Sequence, residues 1–117
     1  MIDSVKFGEI VVEGKRYTHD IVIYPSGKIE RRKKELSKRK HGTSHKFDPD
    51  ELKEYLKEDF DVLIVGTGIY GALKLLPEAK ELVKDKEVIE KLTPEAIKLF
   101  NELRKEKKVL GVFHITC

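Results

Sequence analysis

A chain of 117 residues has room for one domain and can bury roughly two-thirds of its unfolded surface, so it needs neither disulfides nor a metal to fold. Its one cysteine, Cys117, excludes an intramolecular disulfide, and no apolar run approaches the ~20 residues of a membrane span. The net charge of +3 is uneven: RRKKELSKRK, Arg31 to Lys40, carries seven basic residues and one acidic, +6, which leaves −3 for the rest.

The start, MIDSVKFGEI, lacks the basic-then-apolar order of a signal peptide, so the expectation is a single α/β domain, residues 1–117, in a reducing cytoplasm and away from membranes. Charged residues make up 38% of the chain, and Trp is absent. The Lys and Glu bias is typical of hyperthermophile proteins, which favour surface ion-pair networks.

The first third reads as β. VKFGEIVV and KRYTHDIVIY are separated by Glu13-Gly14, a hairpin signal. In YPSGK, Pro25 and Gly27 sit where a type I turn wants them. A third strand is predicted from Lys28 to about Arg32, and the basic run then reads as a solvated loop ending in KHGTSHKF.

Beyond it the period becomes helical. DPDELKEYLKE has Asp48 as N-cap, Pro49 at the first position and Glu51 at the third, a capping box, with Leu52, Tyr55 and Leu56 as the apolar stripe. DVLIV is a continuous apolar run, as in a strand buried on both faces. Pro77 opens a second helix, PEAKELVKD, and EVIEKL reads as a short strand. A third helix, TPEAIKLFNELRKEK, has Thr93 as N-cap and Ile97, Phe100 and Leu103 on its buried face. KVLGVFHIT closes the chain as another apolar strand. The order βββ-α-β-α-β-α-β predicts a mixed, mostly parallel sheet with helices, plus an N-terminal β-meander.

DVLIVGTGIYGAL contains a literal G-x-G-x-x-G at Gly66, Gly68 and Gly71. A dinucleotide fingerprint needs a helix to begin at the glycines and meet the pyrophosphate. Here ALKLL intervenes, and the next helix start is Pro77, about one and a half turns late. The motif therefore reads as a tight turn at a strand's carboxyl end, and no NAD, NADP or FAD is expected to bind. Amides around Thr67 could still form an anion-binding nest, with Tyr70 beside them.

KHGTSH gathers Lys40, His41, Thr43, Ser44 and His45, which suit either a polar pocket wall or a solvated turn. On the last strand, His114 and Thr116 share one face and Cys117 the other, which argues against a Cys117–His114 dyad. The histidines show no short zinc spacing, so neither a metal nor any other cofactor is expected. The basic run lacks interleaved aromatic residues for base stacking, so nucleic acid is not the expected partner.

Four blocks, HDIVIYPSGKI, KHGTSH, LIVGTGIYG and VFHITC, with TPEAIKLFNEL between them, together resemble the adipogenesis-associated domain family of small proteins. That family includes archaeal and bacterial conserved hypothetical proteins and a mitochondrial complex I assembly factor. The resemblance implies a three-layer α/β fold with the last strand in the interior, and no established catalytic activity. The leading reading is a non-enzymatic binding or assembly-type module of unknown biochemical activity, with a protein or a small anionic ligand as partner. One alternative is a small enzyme or anion-binding protein using GTG and HGTSH. A second is a weak nucleic-acid binder acting through the basic run. The expected site is a shallow polar cleft that draws on Lys40, His41, Thr43, Ser44, His45, Gly66, Thr67, Gly68, Tyr70 and His114; oligomeric state is not legible.

Overall fold

Two uninterrupted apolar runs lie side by side at the centre of the structure. The computed structural model describes residues 1–117. In chain order it contains β1 (Ile2–Lys6), β2 (Glu9–Val12), β3 (Lys15–Tyr17), β4 (Ile21–Ile23), β5 (Ile29–Arg31), α1 (Glu35–His41), β6 (Lys46–Phe47), α2 (Pro49–Lys53), β7 (Val62–Thr67), β8 (Lys74–Leu75), α3 (Pro77–Leu82), β9 (Glu87–Lys91), α4 (Thr93–Leu103) and β10 (Val109–His114). Five strands form a mixed central sheet in the order β5-β4-β10-β7-β9. β10 runs parallel to β7, from Val109 opposite Val62 to His114 opposite Thr67. β9 is parallel to β7 on its other side; β4 is antiparallel to β10 and β5 antiparallel to β4, so β4 alone runs against the other four strands.

Central position explains the composition. Every residue of β10 is buried, as is β7 from Val62 to Gly66, so neither strand has a solvent face on which to place polar residues. Alternate side chains enter two separate cores. Leu63, Val65, Leu110 and Val112 pack with Leu52, Tyr55, Ala79 and Val83 from the α2 and α3 side. Val62, Ile64, Val109 and Phe113 pack with Ala96, Ile97 and Phe100 of α4 and with Ile2, Ile10 and Val12 of the meander.

The observed order differs from the predicted one in four places. The N-terminal third holds five strands rather than three: a turn at Gly8, with positive φ, divides the first predicted strand, and a bend at Thr18 and His19 divides the second, while the Glu13-Gly14 turn falls where it was expected; β1, β2 and β3 form their own antiparallel sheet. The basic run contains helix α1, which ends at Gly42 in the left-handed conformation. β6 and β8 pair in parallel as a third, two-stranded sheet. Finally, Leu92 rather than Thr93 is the N-cap of α4, because the Thr93 hydroxyl is engaged elsewhere. Asp48 does cap α2, accepting from the Asp50 amide at 2.8 Å. The return half of the capping box is missing: Glu51 turns inward, and Ser37 receives the Asp48 amide.

Gly111 sits under an edge-on Phe100–Phe113 pair with ring centroids 5.4 Å apart. A Cβ at Gly111 would lie 2.6 Å from Phe113 Cε2 and 2.9 Å from Phe100 Cδ1. Gly111→Ala is therefore expected to destabilise the fold by about 1–3 kcal/mol, the usual cost of overpacking, read from the urea midpoint. A change within about 0.5 kcal/mol would show that the rings move aside freely.

Candidate functional site

The carboxyl ends of β7 and β10 meet the start of β4 and the end of β5, because β4 runs against β10 and β5 runs against β4. This register brings Asp20, Arg32, Thr67 and His114 to one end of the sheet. Arg32 is the largest fully buried side chain, 2% exposed. Its Nε and Nη2 donate to the two carboxylate oxygens of Glu51 at 2.8 and 2.9 Å, its Nη1 to Asp20 at 3.0 Å and its Nη2 also to the Ser44 carbonyl at 2.7 Å. Its guanidinium lies against the Phe47 ring. Glu51 also accepts from the Ser37 hydroxyl at 2.6 Å and the Tyr55 hydroxyl at 2.7 Å. Asp20 accepts from the Ile115 amide at 2.9 Å and pairs with His114 Nδ1 at 2.8 Å. No buried side-chain polar atom is left without a partner.

Burial pushes the Asp20 carboxyl up, but the His114 hydrogen bond and the Arg32 charge outweigh it and hold Asp20 below the usual aspartate range. Burial likewise works against the Arg32 charge, and Glu51 and Asp20 reverse that effect and raise it. Burial and then the Glu51 charge drive the Tyr55 hydroxyl far up, so it stays a donor.

KHGTSH divides in two. Lys40 and His41 turn towards the cap of α2: Lys40 Nζ lies 3.4 Å from Asp48 and 3.3 Å from Asp50, and His41 Nε2 lies 2.7 Å from Asp48. Thr43 Oγ1 accepts from the His45 amide at 3.1 Å, which folds the loop back. The Ser44 carbonyl is held by Arg32, and the His45 carbonyl by the Lys74 amide at 2.8 Å. Only His45 reaches the sheet end, where its ring stands edge-on to His114 at 5.3 Å. Burial, then His114 and Arg32, hold the His45 imidazole below the usual histidine range.

The glycine turn wraps the chain's own last residues. The Gly68 amide donates to Thr93 Oγ1 at 2.9 Å, and Thr93 Oγ1 donates to the His114 carbonyl at 2.5 Å. The Ile69 amide donates to the Thr116 carbonyl, and those of Tyr70 and Ala72 both to the Cys117 carbonyl. Thr67 Oγ1 donates to the Lys91 carbonyl. Beside Gly66, a Cβ would lie 2.8 Å from Thr93 Oγ1. At Gly68, φ is +111°, and a Cβ would lie 2.6 Å from Cys117 C and 2.7 Å from His114 Cδ2. The Gly68 amide of the expected anion nest is thus taken by a hydroxyl, and the amides that follow it by the carbonyls of Thr116 and Cys117. Of the expected site residues only Lys40 lines a surface cavity, with Leu36, Arg39 and Asp50; Thr67, Tyr70, His45 and His114 line none. After Gly71 comes β8, with the helix starting at Pro77.

Chemically, the end of the sheet holds an Asp20–His114–Thr116 series, with Thr116 Oγ1 3.4 Å from His114 Nε2. That distance is longer than the ~2.6–3.2 Å of a nucleophile poised on its base. No group of three or more His, Cys, Asp or Glu side chains is disposed to hold a metal ion.

Large apolar side chains also face solvent here. Tyr70 is 77% and Phe7 54% exposed, with ring centroids 6.1 Å apart. Exposed Leu92 adjoins them, its Cδ2 3.0 Å from where a Gly71 Cβ would be. The Gly8 amide bonds to the Ile115 carbonyl at 2.7 Å and ties the Phe7 turn to the end of β10. Sequence reasoning missed Phe7, whose only signal was a Phe-Gly turn between apolar strands. It also missed Asp20, Arg32, Ser37, Glu51 and Tyr55 as one network, since they meet only through tertiary contact.

Residues 2–114 match the model of the DUF498 family, described as protein of unknown function (DUF498/DUF598). The chain belongs to this family. The conserved hypothetical protein PH1505 from Pyrococcus horikoshii OT3 is 65% identical, with a TM-score of 0.98 over 100% of this chain and 99% of that one. A structure named MT938 is 37% identical, with a TM-score of 0.83 over 100% and 98%. A Bordetella pertussis protein described as a Mth938-like domain shares the fold at 19% identity, with a TM-score of 0.63 over 97% and 84%. This DUF498 chain is therefore a conserved protein with a mixed α/β fold, and no helix in it is long and apolar enough to cross a membrane.

The buried ion cluster makes a sharp contrast within the basic run. Removing one partner of a buried pair costs about 3–5 kcal/mol, so Arg32→Ser should lower stability by that much, whereas Lys38→Ser with Arg39→Ser should stay within about 0.5 kcal/mol. Because the Asp20 pKa is depressed in the folded state, its contribution is present above the unfolded aspartate value of about 3.9. It is lost as pH falls through the lower folded value. Thermal melts should therefore decline from about pH 5 downwards, and Asp20→Asn should flatten that decline. Equal slopes in the two proteins would contradict this account.

Proposed function

We propose that this protein is a non-enzymatic binding module that docks on an acidic protein surface through the carboxyl end of its central sheet. The observation that carries the reading is the Phe7–Tyr70 pair, two large rings held in solvent on tied-down turns. Exposed aromatic residues with a fixed backbone make good interface anchors, since little ordering entropy remains to be lost on binding. Lys91 and Arg31 close β9 and β5 at the same end of the sheet and, like Lys74 and Lys34, form no ion pair. Such a basic rim favours encounter with an acidic partner and disfavours basic ones. An assembly-type role of the kind the family resemblance implies is consistent with a module whose polar interior is spent on its own fold.

The catalytic alternative rests on Asp20, His114 and Thr116. Against it stands the engagement of the nearby turn amides, which leaves Gly68, Ile69, Tyr70 and Ala72 unable to stabilise a developing oxyanion.

The test is a titration of isotope-labelled protein with a random glutamate–tyrosine copolymer, and in parallel with a single-stranded oligonucleotide. The copolymer should shift the amide signals of Phe7, Gly8, Tyr70 and Leu92, with affinity falling as salt rises. Tyr70→Ala should weaken it at least about tenfold, as for an interface anchor. Copolymer shifts confined to α1, or tighter binding of the oligonucleotide, would overturn the reading.

A further inference from the structure

The two ends of the parallel strands differ in chemistry. At the carboxyl end stand Phe7, Tyr70 and Leu92 with Lys74 and Lys91. At the amino end, where β7 and β9 begin, a groove of about 250 Å³ runs between the segment after α2 and the end of α3. Its apolar lining includes Leu56 and Leu82, both exposed, and its acidic groups are Glu58, Asp59 and Asp85. Lys86 is the one lining cation, 4.0 Å from Asp59 and 3.9 Å from Asp85, and Lys108 pairs with Asp59 at 3.3 Å from outside the lining, so three carboxylates against two cations leave a net charge of −1, with Glu58 in no ion pair. Its Nζ lies 5.3 Å over the Phe60 ring at the groove floor. Glu58 is fixed by the Ser26 amide at 2.9 Å and hydroxyl at 2.7 Å, so part of the acidic rim is held in place before anything binds.

We infer that the protein associates head to tail, with the Phe7–Tyr70 face of one copy seated in the Leu56–Leu82 groove of the next. The proposal rests on the docking reading of that face and names its partner. The charges argue for a second copy: a basic aromatic projection and an acidic apolar recess lie at opposite ends of one molecule and complement each other. The groove is smaller than the roughly 300–1,000 Å³ of a drug-sized ligand site, and suits a single large side chain better. Exposed Leu56 and Leu82 gain cover in the contact, as do Phe7 and Tyr70. Because the two surfaces differ, the contact is heterologous: it does not close on itself by a two-fold axis, and copies add in line along the strand direction. An interface anchored by one or two rings belongs to the small, weak and reversible class, so association should grow with concentration and weaken with salt.

Sedimentation of the full chain over a concentration series, with complementation, tests this. The wild-type protein should form species that grow in mass with concentration. Tyr70→Ala removes the projection and keeps the groove; Leu82→Lys spoils the groove and keeps the projection. Each variant alone should stay monomeric, and an equimolar mixture should recover a dimer that grows no further, because only one productive contact remains per pair. Phe7→Ala and Asp85→Lys, both at exposed positions, should repeat the pattern, and thermal melts check that all four variants are folded. A wild-type protein that stays monomeric up to its solubility limit overturns the inference. A mixture with no dimer overturns it too. If the glutamate–tyrosine copolymer still shifts Tyr70 in a monomeric protein, the docking face stands and only the second copy is wrong; if neither event occurs, both readings fall. Binding of a lysine–leucine peptide to the groove of a protein that never self-associates would assign the groove to a different partner and overturn the inference.

Discussion

The fold turns on one buried cation. Arg32 comes at the end of β5 and is drawn under the α1–β6–α2 segment, where two carboxylates and a carbonyl surround it. Through Glu51 it fixes α2, through Ser44 the loop before β6, and through Asp20 the start of β4. Asp20 in turn holds His114 and the Ile115 amide. Five segments distant in sequence are thereby locked in one relative position. A buried ion pair adds little net stability compared with an apolar replacement, since desolvation offsets attraction. Each alternative packing of those segments would leave one of its donors or acceptors buried without a partner, which is costly.

The same economy accounts for the glycine turn. Gly66 and Gly68 are small because Thr93, His114 and Cys117 stand where a Cβ would be. The pattern resembles a nucleotide fingerprint because both demand close backbone approach; here the approaching backbone belongs to the protein itself. With the Gly68, Ile69, Tyr70 and Ala72 amides and the buried carboxylates committed internally, the molecule offers its surroundings side chains: rings at one end of the strands, and an acidic apolar recess at the other.

Much of this was legible in the chain. VLIVG and VLGVFH announce strands with no solvent face, because a residue with sheet neighbours and cover on both sides has no room for polarity. Asp48-Pro49 announces α2 because capping is a local interaction. The misreadings share one cause, in that local pattern and tertiary demand point in opposite directions. Arg32 sits among Arg31, Lys33 and Lys34, and composition cannot say which of four neighbouring cations is enclosed. Thr93 precedes a proline at a helix start, which suits a cap, yet its hydroxyl bridges Gly68 and His114 from a distance of more than twenty residues. Glu51 completes a capping box in sequence and abandons it for Arg32 in space. The site was half visible for the same reason: His45 and His114 stand out in the sequence, but what brings them together is Asp20 and Arg32, which carry no local mark.

The position of β10 carries a consequence for how the molecule comes into being. The sheet's middle strand is the last strand in the chain, and Asp20 waits for a partner 94 residues away. Until β10 arrives, β4 and β7 both present bare apolar edges to each other and to any neighbouring chain. A growing polypeptide therefore cannot settle strand by strand as it leaves the ribosome. It stays open along its centre until Val109–His114 has emerged, and then closes by insertion rather than by extension. Such long-range pairing is slow by topology, and the interval before it is when a nascent chain would have most need of a chaperone.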